Sequence, residues 1–384
     1  LKSLIFFLTL FIFTILYLSI FGIETEKFNQ QIKNRVIESN NDLNIDLKKV
    51  KLTLDPLNLK INAKTIGAII YYSNRPIELE YIQTKLSLDS FFKKKLVSSN
   101  FEIVTRSILL KDLVRFARSI NFRPELLILE TMVQNGHIIL DLNLNFDQNG
   151  KIKNDYEVKG ILEDGRIKFF KDINLEKINF LFNLKNKNFL LKEINFSTDE
   201  INFNSDSLQI FKKDNIHKIE GTIENSKSKL SQNLMKLLNL NLKNFNLQNT
   251  RFSSKNNFKF EIDNRFKFKN FKIDSDINVD KITYKNETSL TDYFPKFKNK
   301  NILFDSHQLK IQYEKNILLV NGKGKIKIGD NIDKIQYFIS KNNDKFEFET
   351  DLNIKKTKLI NHKLFKNNFP LSKDLIDLKD HKIN

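Results

Sequence analysis

The fold is decided by residues 177–211, KINFLFNLKNKNFLLKEINFSTDEINFNSDSLQIF, in which apolar and polar residues alternate almost without a break. Ile178, Phe180 and Phe182 are apolar, whereas Asn179 and Asn183 are polar. Side chains along a β-strand point alternately to the two faces of its sheet. Each such run therefore predicts a short strand with one apolar face and one polar face.

Similar runs occupy much of the 384-residue chain. They amount to about two dozen strands, most of them about five to seven residues long, separated by short polar turns. Short turns place consecutive strands side by side and antiparallel, and a sheet of many strands is expected to twist and curl. The predicted class is mainly β, a transmembrane helix followed by a long curled antiparallel meander, or β-groove, with a few short helices.

Breaks in the alternation predict the remaining elements. The phase slips at Lys48–Lys49 and at Asp55–Pro56 predict a bulge and a turn, respectively. Turns are also expected at residues 147–150, 163–165 and 322–324. The turn at residues 163–165 would separate the apolar residues Val158 and Ile161 from the apolar positions that follow. Helices are expected at residues 24–40, 90–96, 110–120 and 229–238, and a further break at residues 290–298.

An uncharged apolar stretch, LIFFLTLFIFTILYLSIFGI, fills residues 4–23. As a helix it would be about 30 Å long, which matches the hydrocarbon core of a bilayer. The apolar part of a cleaved signal peptide usually runs about 7–15 residues and ends at small residues. The greater length and the poor cleavage site at residues 19–22 favour an uncleaved anchor, and Lys2 before it favours a cytoplasmic N-terminus.

Composition limits the classes of function. Hydrophobic residues make up 40% and charged residues 29% of the chain, so it is able to build a folded sheet. The formal net charge of +18 comes from lysines scattered along the strands. A nucleic-acid binding protein usually gathers its positive charge on one face, so we expect no nucleic-acid partner. The absence of cysteine removes disulfides and thiolate metal sites.

The apolar face of the meander has three interpretations: one half of a sandwich core, the outside of a transmembrane barrel, or a trough for acyl chains. The length of the meander, its membrane tether and the abundance of phenylalanine, 35 residues in the whole chain, favour the trough. The residues predicted to line it are Ile138, Leu140, Leu142, Leu144, Ile178, Phe180, Phe182, Leu184, Phe189, Leu191, Phe258, Phe260, Ile262, Phe266 and Phe268. Phe146 is expected to continue the face that begins at Ile138.

Catalytic constellations do not stand out. The five histidines show no metal-ligand spacing and are expected at surface or strand-edge positions, and no Ser/His/Asp set or carboxylate pair stands out. The sequence therefore predicts a protein that is not an enzyme, with no cofactor and no metal. A second candidate function is an anchored scaffold for the assembly of outer-membrane proteins, whose sheet edge would template incoming strands.

Three stretches resemble a known family. They are residues 26–66, EKFNQQIKNRVIESNNDLNIDLKKVKLTLDPLNLKINAKTI; residues 86–103, LSLDSFFKKKLVSSNFEI; and residues 156–203, YEVKGILEDGRIKFFKDINLEKINFLFNLKNKNFLLKEINFSTDEINF. Together with the anchor they resemble the AsmA-like family of Gram-negative bacteria, which includes TamB- and YhdP-type proteins. The resemblance covers about residues 1–110 and the middle of the chain.

The resemblance implies a single-pass inner-membrane protein with a periplasmic β-groove that carries phospholipid toward the outer membrane. Its expected partners are phospholipid acyl chains, the inner membrane and an outer-membrane protein, and the family supplies no catalytic residues to transfer. The expected organisation is an anchor at residues 1–23, an amphipathic helix at 24–42, an elongated β-groove at 43–360, and a tail at 361–384 that continues in a longer protein.

Overall fold

A computed structural model describes residues 2–39, 42–72, 75–88, 100–120, 123–145, 153, 155–170, 173–199, 201–213, 216–230, 245–246, 250–263, 267–285, 301–328, 331–343, 345–353 and 381–383. Contacts along the chain divide it into two units, Leu1–Ile194 and Asn195–Asn384. Every described strand pairing is antiparallel, which confirms the mainly β class.

The described helices all lie in the first unit. They are α1 (Lys2–Ile20), α2 (Asn29–Ser39), α3 (Leu110–Ile120) and α4 (Pro124–Met132). The helix expected at residues 24–40 begins later, at Asn29, because residues 23–25 form a short strand. Ile32 and Val36 of α2 pack against a buried cluster that includes Ile45 and Leu79, so this helix covers apolar side chains of the sheet.

The strands of the first unit, with β12 running past its end, are short at first and long later. They are β1 (Ile23–Thr25), β2 (Leu43–Asp46), β3 (Lys49–Asp55), β4 (Lys60–Ile66), β5 (Ile69–Tyr72), β6 (Arg75–Ser87), β7 (Asn100–Thr105), β8 (Ile108–Leu109), β9 (Val133–Asn145), β10 (Glu157–Phe170), β11 (Ile173–Lys185) and β12 (Asn188–Thr198). The spatial order is β1-β3-β4-β6-β7-β9-β10-β11, with β8 also beside β9. A smaller sheet, β2-β5-β6, uses the beginning of β6.

The strands of the second unit pair largely in chain order. They are β13 (Ile201–Lys213), β14 (Ile216–Lys229), β15 (Phe245–Asn246), β16 (Arg251–Asp263), β17 (Phe268–Lys285), β18 (Asn301–Glu314), β19 (Ile317–Ile328), β20 (Asn331–Asn342), β21 (Lys345–Asn353) and β22 (His381–Ile383). Their order is β13-β14-β16-β17-β18-β19-β20-β21-β22, and β15 also pairs with β17.

The long strands correct the expected strand length of five to seven residues. Strand β10 has 14 residues and β17 has 18. The turn expected at residues 163–165 lies inside β10, where Asp164 has a positive φ of 51° and the register with both neighbouring strands shifts. This is a β-bulge, which shifts the phase of alternation as a turn would but leaves the chain direction unchanged.

Bulges of this kind recur in other long strands. Lys177, Asn270 and Ser306 all have positive φ within a strand. In β11 the apolar residues on either side of Lys177 are Leu175 and Ile178, three positions apart, yet both pair with the same face of β10. The bulge therefore lets one apolar face continue along a strand whose alternation slips by one residue.

Two further expectations are corrected. Lys48 lies in a bend between two strands of different sheets rather than in a bulge, because β2 and β3 have different partners. Gly322 and Gly324 lie within β19 rather than in a turn.

The expected curl is not observed. Within each unit the described strands form an open sheet that is neither curled nor closed. Alternation along one strand reports which face is apolar, but it does not specify how successive strands turn relative to each other. The expected turn at Asp55–Pro56 is confirmed, because residues 56–59 connect β3 and β4.

Several sequence predictions fall outside the described residues. They are the helix at residues 90–96, the turn at 147–150, the break at 290–298, most of the helix at 229–238, most of the tail at 361–384, and two predicted apolar positions, Phe146 and Phe266. Of the expected helix at 229–238, Lys229 ends β14 instead. The domain boundaries expected at residues 23, 42 and 360 stay predictions.

Candidate functional site

The candidate site in the first unit is the apolar face of its main sheet. Phe180 lies opposite Leu162, and Leu162 lies opposite Ile138. The next rows along the strands are Phe182, Gly160 and Leu140, and then Leu184, Val158 and Leu142. Residues that lie directly opposite each other in an antiparallel pair share a face. The predicted residues of β9 and β11 are therefore brought together on one surface.

This apolar face continues across the earlier strands. Ile103 of β7 lies opposite Leu142 and also opposite Ile82 of β6. Nearer one end of the strands, Leu86 of β6 lies opposite Ile61 of β4. The unit-1 apolar face, as we call it, thus extends from β3 to β11 as a surface of mainly aliphatic and aromatic side chains, with Thr65 and Thr84 among them.

The exposure of these side chains shows how far the face is covered. Ile138, Leu140 and Ile178 are buried, with at most 9% of their surface exposed. The other predicted residues of the unit are only half-buried: Leu142, Leu144, Phe180, Phe182, Leu184, Phe189 and Leu191. The core between two packed sheets would enclose most of such a face. The described part of the unit-1 apolar face is therefore partly open.

A glycine makes room for the central aromatic ring of the face. A Cβ atom at Gly160 would lie 2.5 Å from Cζ of Phe182, so the Phe182 ring covers the position where a larger residue would stand. The centroid of the same ring is 6.1 Å from that of Phe180 and 5.6 Å from that of Phe189. The three rings form a continuous aromatic strip across β11 and β12.

The opposite face of the first unit is polar and internally bonded. The hydroxyl of Tyr81 donates to Glu102 at 2.7 Å, which is the main reason that the pKa of Tyr81 is raised to about 12. The side-chain amide of Asn183 donates to Glu157 at 3.0 Å, and Lys159 pairs with the same carboxylate at 3.2 Å. Asn183 therefore lies on the face opposite to Phe182.

The second unit carries an aromatic patch on one face of its sheet. Phe258 lies opposite Gly221 and Ile273, and Phe260 lies opposite Ile219. The ring centroid of Phe260 is 5.9 Å from that of Phe258 and 5.4 Å from that of Phe268. Phe258, Phe260 and Ile262 are half-buried, whereas Phe268, which lies opposite Ile262, is 61% exposed.

Polar residues interrupt this face farther along the strands. Asn225 lies opposite Ser254, and their side chains are joined by a short hydrogen bond. The side-chain amide of Asn256 donates to Ser254 Oγ at 2.8 Å, and that of Asn225 donates to the carbonyl oxygen of Phe252 at 3.2 Å. Asn225 and Ser254 are buried. The cluster satisfies its own hydrogen bonds, as buried polar groups require.

A buried histidine lies in β18 of the same unit. His307 is 5% exposed, which corrects the expected surface position, and its Nε2 lies 3.0 Å from the carbonyl oxygen of Lys325. Nε2 therefore donates, and Nδ1 faces the hydroxyl of Tyr337 at 3.5 Å. Burial lowers the pKa of His307 and raises that of Tyr337. Gly322 and Gly324 give room for the Tyr337 and His307 rings, respectively.

The sequence pattern did not predict the polar cluster around Ser254. Ser254, Asn256 and Ser275 occupy the apolar phase of their strands, so they read as breaks in the pattern rather than as a feature. The available signal was a row of small polar residues at alternate positions of β16 and β17. Among the other histidines, His137 is exposed in β9 and His217 is half-buried in β14, whereas His362 lies outside the described residues.

A metal site and a surface cavity are the two other kinds of candidate site. No group of three or more potential metal-ligating side chains occurs in the described part of the chain. A shallow cavity of about 530 Å³ crosses β17 to β21, and charged side chains, among them Asp276, Lys310, Lys323 and Glu349, stand around it. Such a lining does not match an aliphatic ligand. The apolar faces are therefore the stronger candidate.

Comparison with protein-family models, with curated proteins and with solved structures finds no match for this chain. The chemistry of the chain's own residues and their arrangement in the sheet are therefore what indicate its function.

Proposed function

We propose that the protein is a membrane-anchored lipid-binding conduit, in which the apolar face of the sheet holds acyl chains of phospholipids moving between the inner and outer membranes. The single observation that carries the proposal is the unit-1 apolar face, which continues across neighbouring strands and combines buried residues such as Ile138 and Leu140 with half-buried ones such as Phe180 and Phe182. An apolar sheet face ordinarily packs against another layer. A face that is left partly open suits a ligand that is itself apolar.

The energetics favour an acyl chain as that ligand. Each buried methylene group contributes about 0.8 kcal/mol, so an aliphatic tail gains affinity in proportion to the length laid on the face. Such contacts need no directional partner. The aromatic strip at Phe180, Phe182 and Phe189 offers broad surfaces for them.

The helix α1 supports the membrane location. It is 19 residues long, with a mean hydropathy of 2.4 in its apolar window and none of its residues buried, so it is long and apolar enough to cross a membrane. A signal sequence would pass the same test. We propose that it is an anchor in the inner membrane with the body in the periplasm, as the resemblance to the AsmA-like family implies, and that the role is not catalytic.

A photo-crosslinking pair tests the proposal. A benzophenone amino acid at position 182 stands on the apolar face, and the same amino acid at position 183 stands on the polar face. We expect position 182 to capture phospholipid in the cell envelope and position 183 not to capture it. Equal capture at both positions, or none at either, contradicts the conduit. Capture of outer-membrane proteins without lipid would instead support the assembly scaffold.

A matched pair of charge substitutions makes the test functional. Phe182→Glu places a charge among apolar side chains and should abolish lipid capture from a neighbouring probe at position 180, because an unpaired charge repels acyl chains. Since the Phe182 ring is only half-buried, we expect a loss of about 1 kcal/mol in unfolding free energy and a retained fold. Asn183→Glu is the control and should keep lipid capture. Unfolding by Phe182→Glu, measured by urea titration, would indicate a packed core instead.

A further inference from the structure

The turn between β3 and β4 lies beside the end of the proposed anchor. Strand β1 leads away from α1, and Ile23 lies opposite Leu52 in antiparallel β3. A Cβ atom at Gly22 would touch the backbone of Leu52, which shows how closely the two segments approach. Because the strands are antiparallel, β3 runs back toward α1 and continues to Asp55 before the turn at residues 56–59. The turn is therefore at the membrane end of the sheet.

The tip of this turn is apolar and exposed. Leu57 is 94% exposed and Leu59 is 65% exposed. Single exposed leucines are common on soluble proteins, but two within one four-residue turn next to an apolar helix are not explained by packing. Leu59 also has a positive φ of 49°, a conformation in which glycine or asparagine costs less. Leu59 is therefore a leucine at a position where its backbone conformation is unfavourable.

The turn is held in place by specific hydrogen bonds. The carboxylate of Asp55 accepts from the backbone N–H of Asn58 at 3.1 Å and from its side-chain amide at 2.9 Å. The N–H of Leu88 donates to the carbonyl oxygen of Leu59 at 3.1 Å. These bonds fix the backbone of the turn. Leu57 and Leu59 are therefore exposed in an ordered turn.

Positive charge flanks the apolar tip. Lys60 begins β4, and Lys85 lies near the end of β6, which pairs with β4. Both lysines lie close enough to Asp55 to help lower the pKa of its carboxyl group, after the two hydrogen bonds from Asn58. Apolar side chains at a tip with lysines behind them fit a bilayer surface, where leucines enter the acyl region and ammonium groups meet lipid phosphates.

We propose that Leu57 and Leu59 insert into the bilayer leaflet at the C-terminal end of α1, making a second membrane contact beside the anchor. This inference rests on the proposed anchoring of α1. The inserted turn holds the ends of β3 and β4 at the bilayer surface. Leu54 and Ile61, which lie opposite each other just behind the turn, begin the unit-1 apolar face there. An acyl chain leaving the leaflet would meet that face without crossing water.

The chain contains no cysteine, so one introduced cysteine gives a single labelling site. We would label Leu57→Cys in the full-length protein with an environment-sensitive nitrobenzoxadiazole dye and reconstitute it in phosphatidylethanolamine–phosphatidylglycerol vesicles. Ile66→Cys is the matched control, because Ile66 is also an exposed aliphatic residue, at the other end of β4. The two positions are separated by most of strand β4, roughly 20 Å at about 3.3 Å per residue.

The expected result is blue-shifted dye emission at position 57, quenched by lipids brominated in the acyl region, with neither effect at position 66. Water-like emission at both positions in protein that floats with the vesicles overturns the insertion and leaves the anchor intact. Protein that fails to float overturns the anchor and this inference with it. A blue shift without vesicles that grows with protein concentration shows that a second copy covers the tip, and this also overturns the proposal. The conduit is tested separately by crosslinking at position 182.

Discussion

At the scale of single residues, His307 shows how a titratable group is accommodated in an apolar sheet face. Its Nε2–H donates to the carbonyl oxygen of Lys325, and burial keeps its pKa below the ordinary value. Asp305 and the hydrogen bond to Lys325 act in the opposite direction, but burial is the larger effect. The neutral imidazole is therefore the native form near neutral pH.

This arrangement predicts a pH dependence of stability. Because the pKa of His307 is lower in the folded protein than in the unfolded chain, the unfolded chain binds the extra proton first as the pH falls. The contribution of His307 to the unfolding free energy should be complete above about pH 6.5 and should decline below it. We expect His307→Gln, whose amide can still donate to Lys325, to show a smaller decline between pH 7 and pH 5 in urea titrations. Identical pH profiles for the two proteins would contradict the burial of a neutral His307.

At the scale of the strand, the bulge is the feature that separates the sequence prediction from the structure. The apolar steps from Leu162 to Gly165 and from Leu175 to Ile178 both shift the alternation by one residue. Sequence reasoning interpreted residues 163–165 as a turn, because Asp and Gly are common turn residues. A bulge and a turn produce the same phase slip, so strand faces could be predicted but strand lengths could not.

The same limit applies to the candidate site. Alternation placed Phe180, Phe182 and Leu140 on one face correctly, because facing is a local property of the backbone. Whether that face is covered, and whether the sheet curls, depends on elements distant in sequence. The polar cluster around Ser254 was missed because alternation assigns a face to a residue without testing what lies opposite it.

A glycine substitution tests the bulge directly. Lys177 has a positive φ of 50° in β11, which costs a non-glycine residue about 1–2 kcal/mol. Lys177→Gly should therefore leave the unfolding free energy unchanged or raise it by up to about 1 kcal/mol. Lys310→Gly, at an exposed position in the regular part of β18 between β17 and β19, is the control and should lower it by about 0.5–1 kcal/mol. Equal losses in the two variants, measured by urea titration, would contradict the left-handed conformation at Lys177.

At the scale of the whole molecule, the proposed anchor would determine where the protein acts. We expect residues 4–23 to stay attached to the mature protein and the residues after them to face the periplasm. Protease added to spheroplasts should then digest the body from outside, while intact cells protect it. Protection in spheroplasts, or a mature N-terminus near Gly22, would contradict this topology.

Native mass spectrometry of the detergent-extracted protein should also show bound phospholipid if the conduit is correct.

The pairing of β13 to β22 largely in chain order has a consequence for how the protein folds as it is made. Most contacts in that unit join segments close in sequence, as in β18 beside β19. Proteins rich in local contacts fold faster than those that must close long loops. If the body is exported, as proposed, a strand emerging from the secretion channel would pair with the strand released just before it, and the sheet would grow strand by strand. Gain or loss of whole hairpins would then change its length while preserving strand direction.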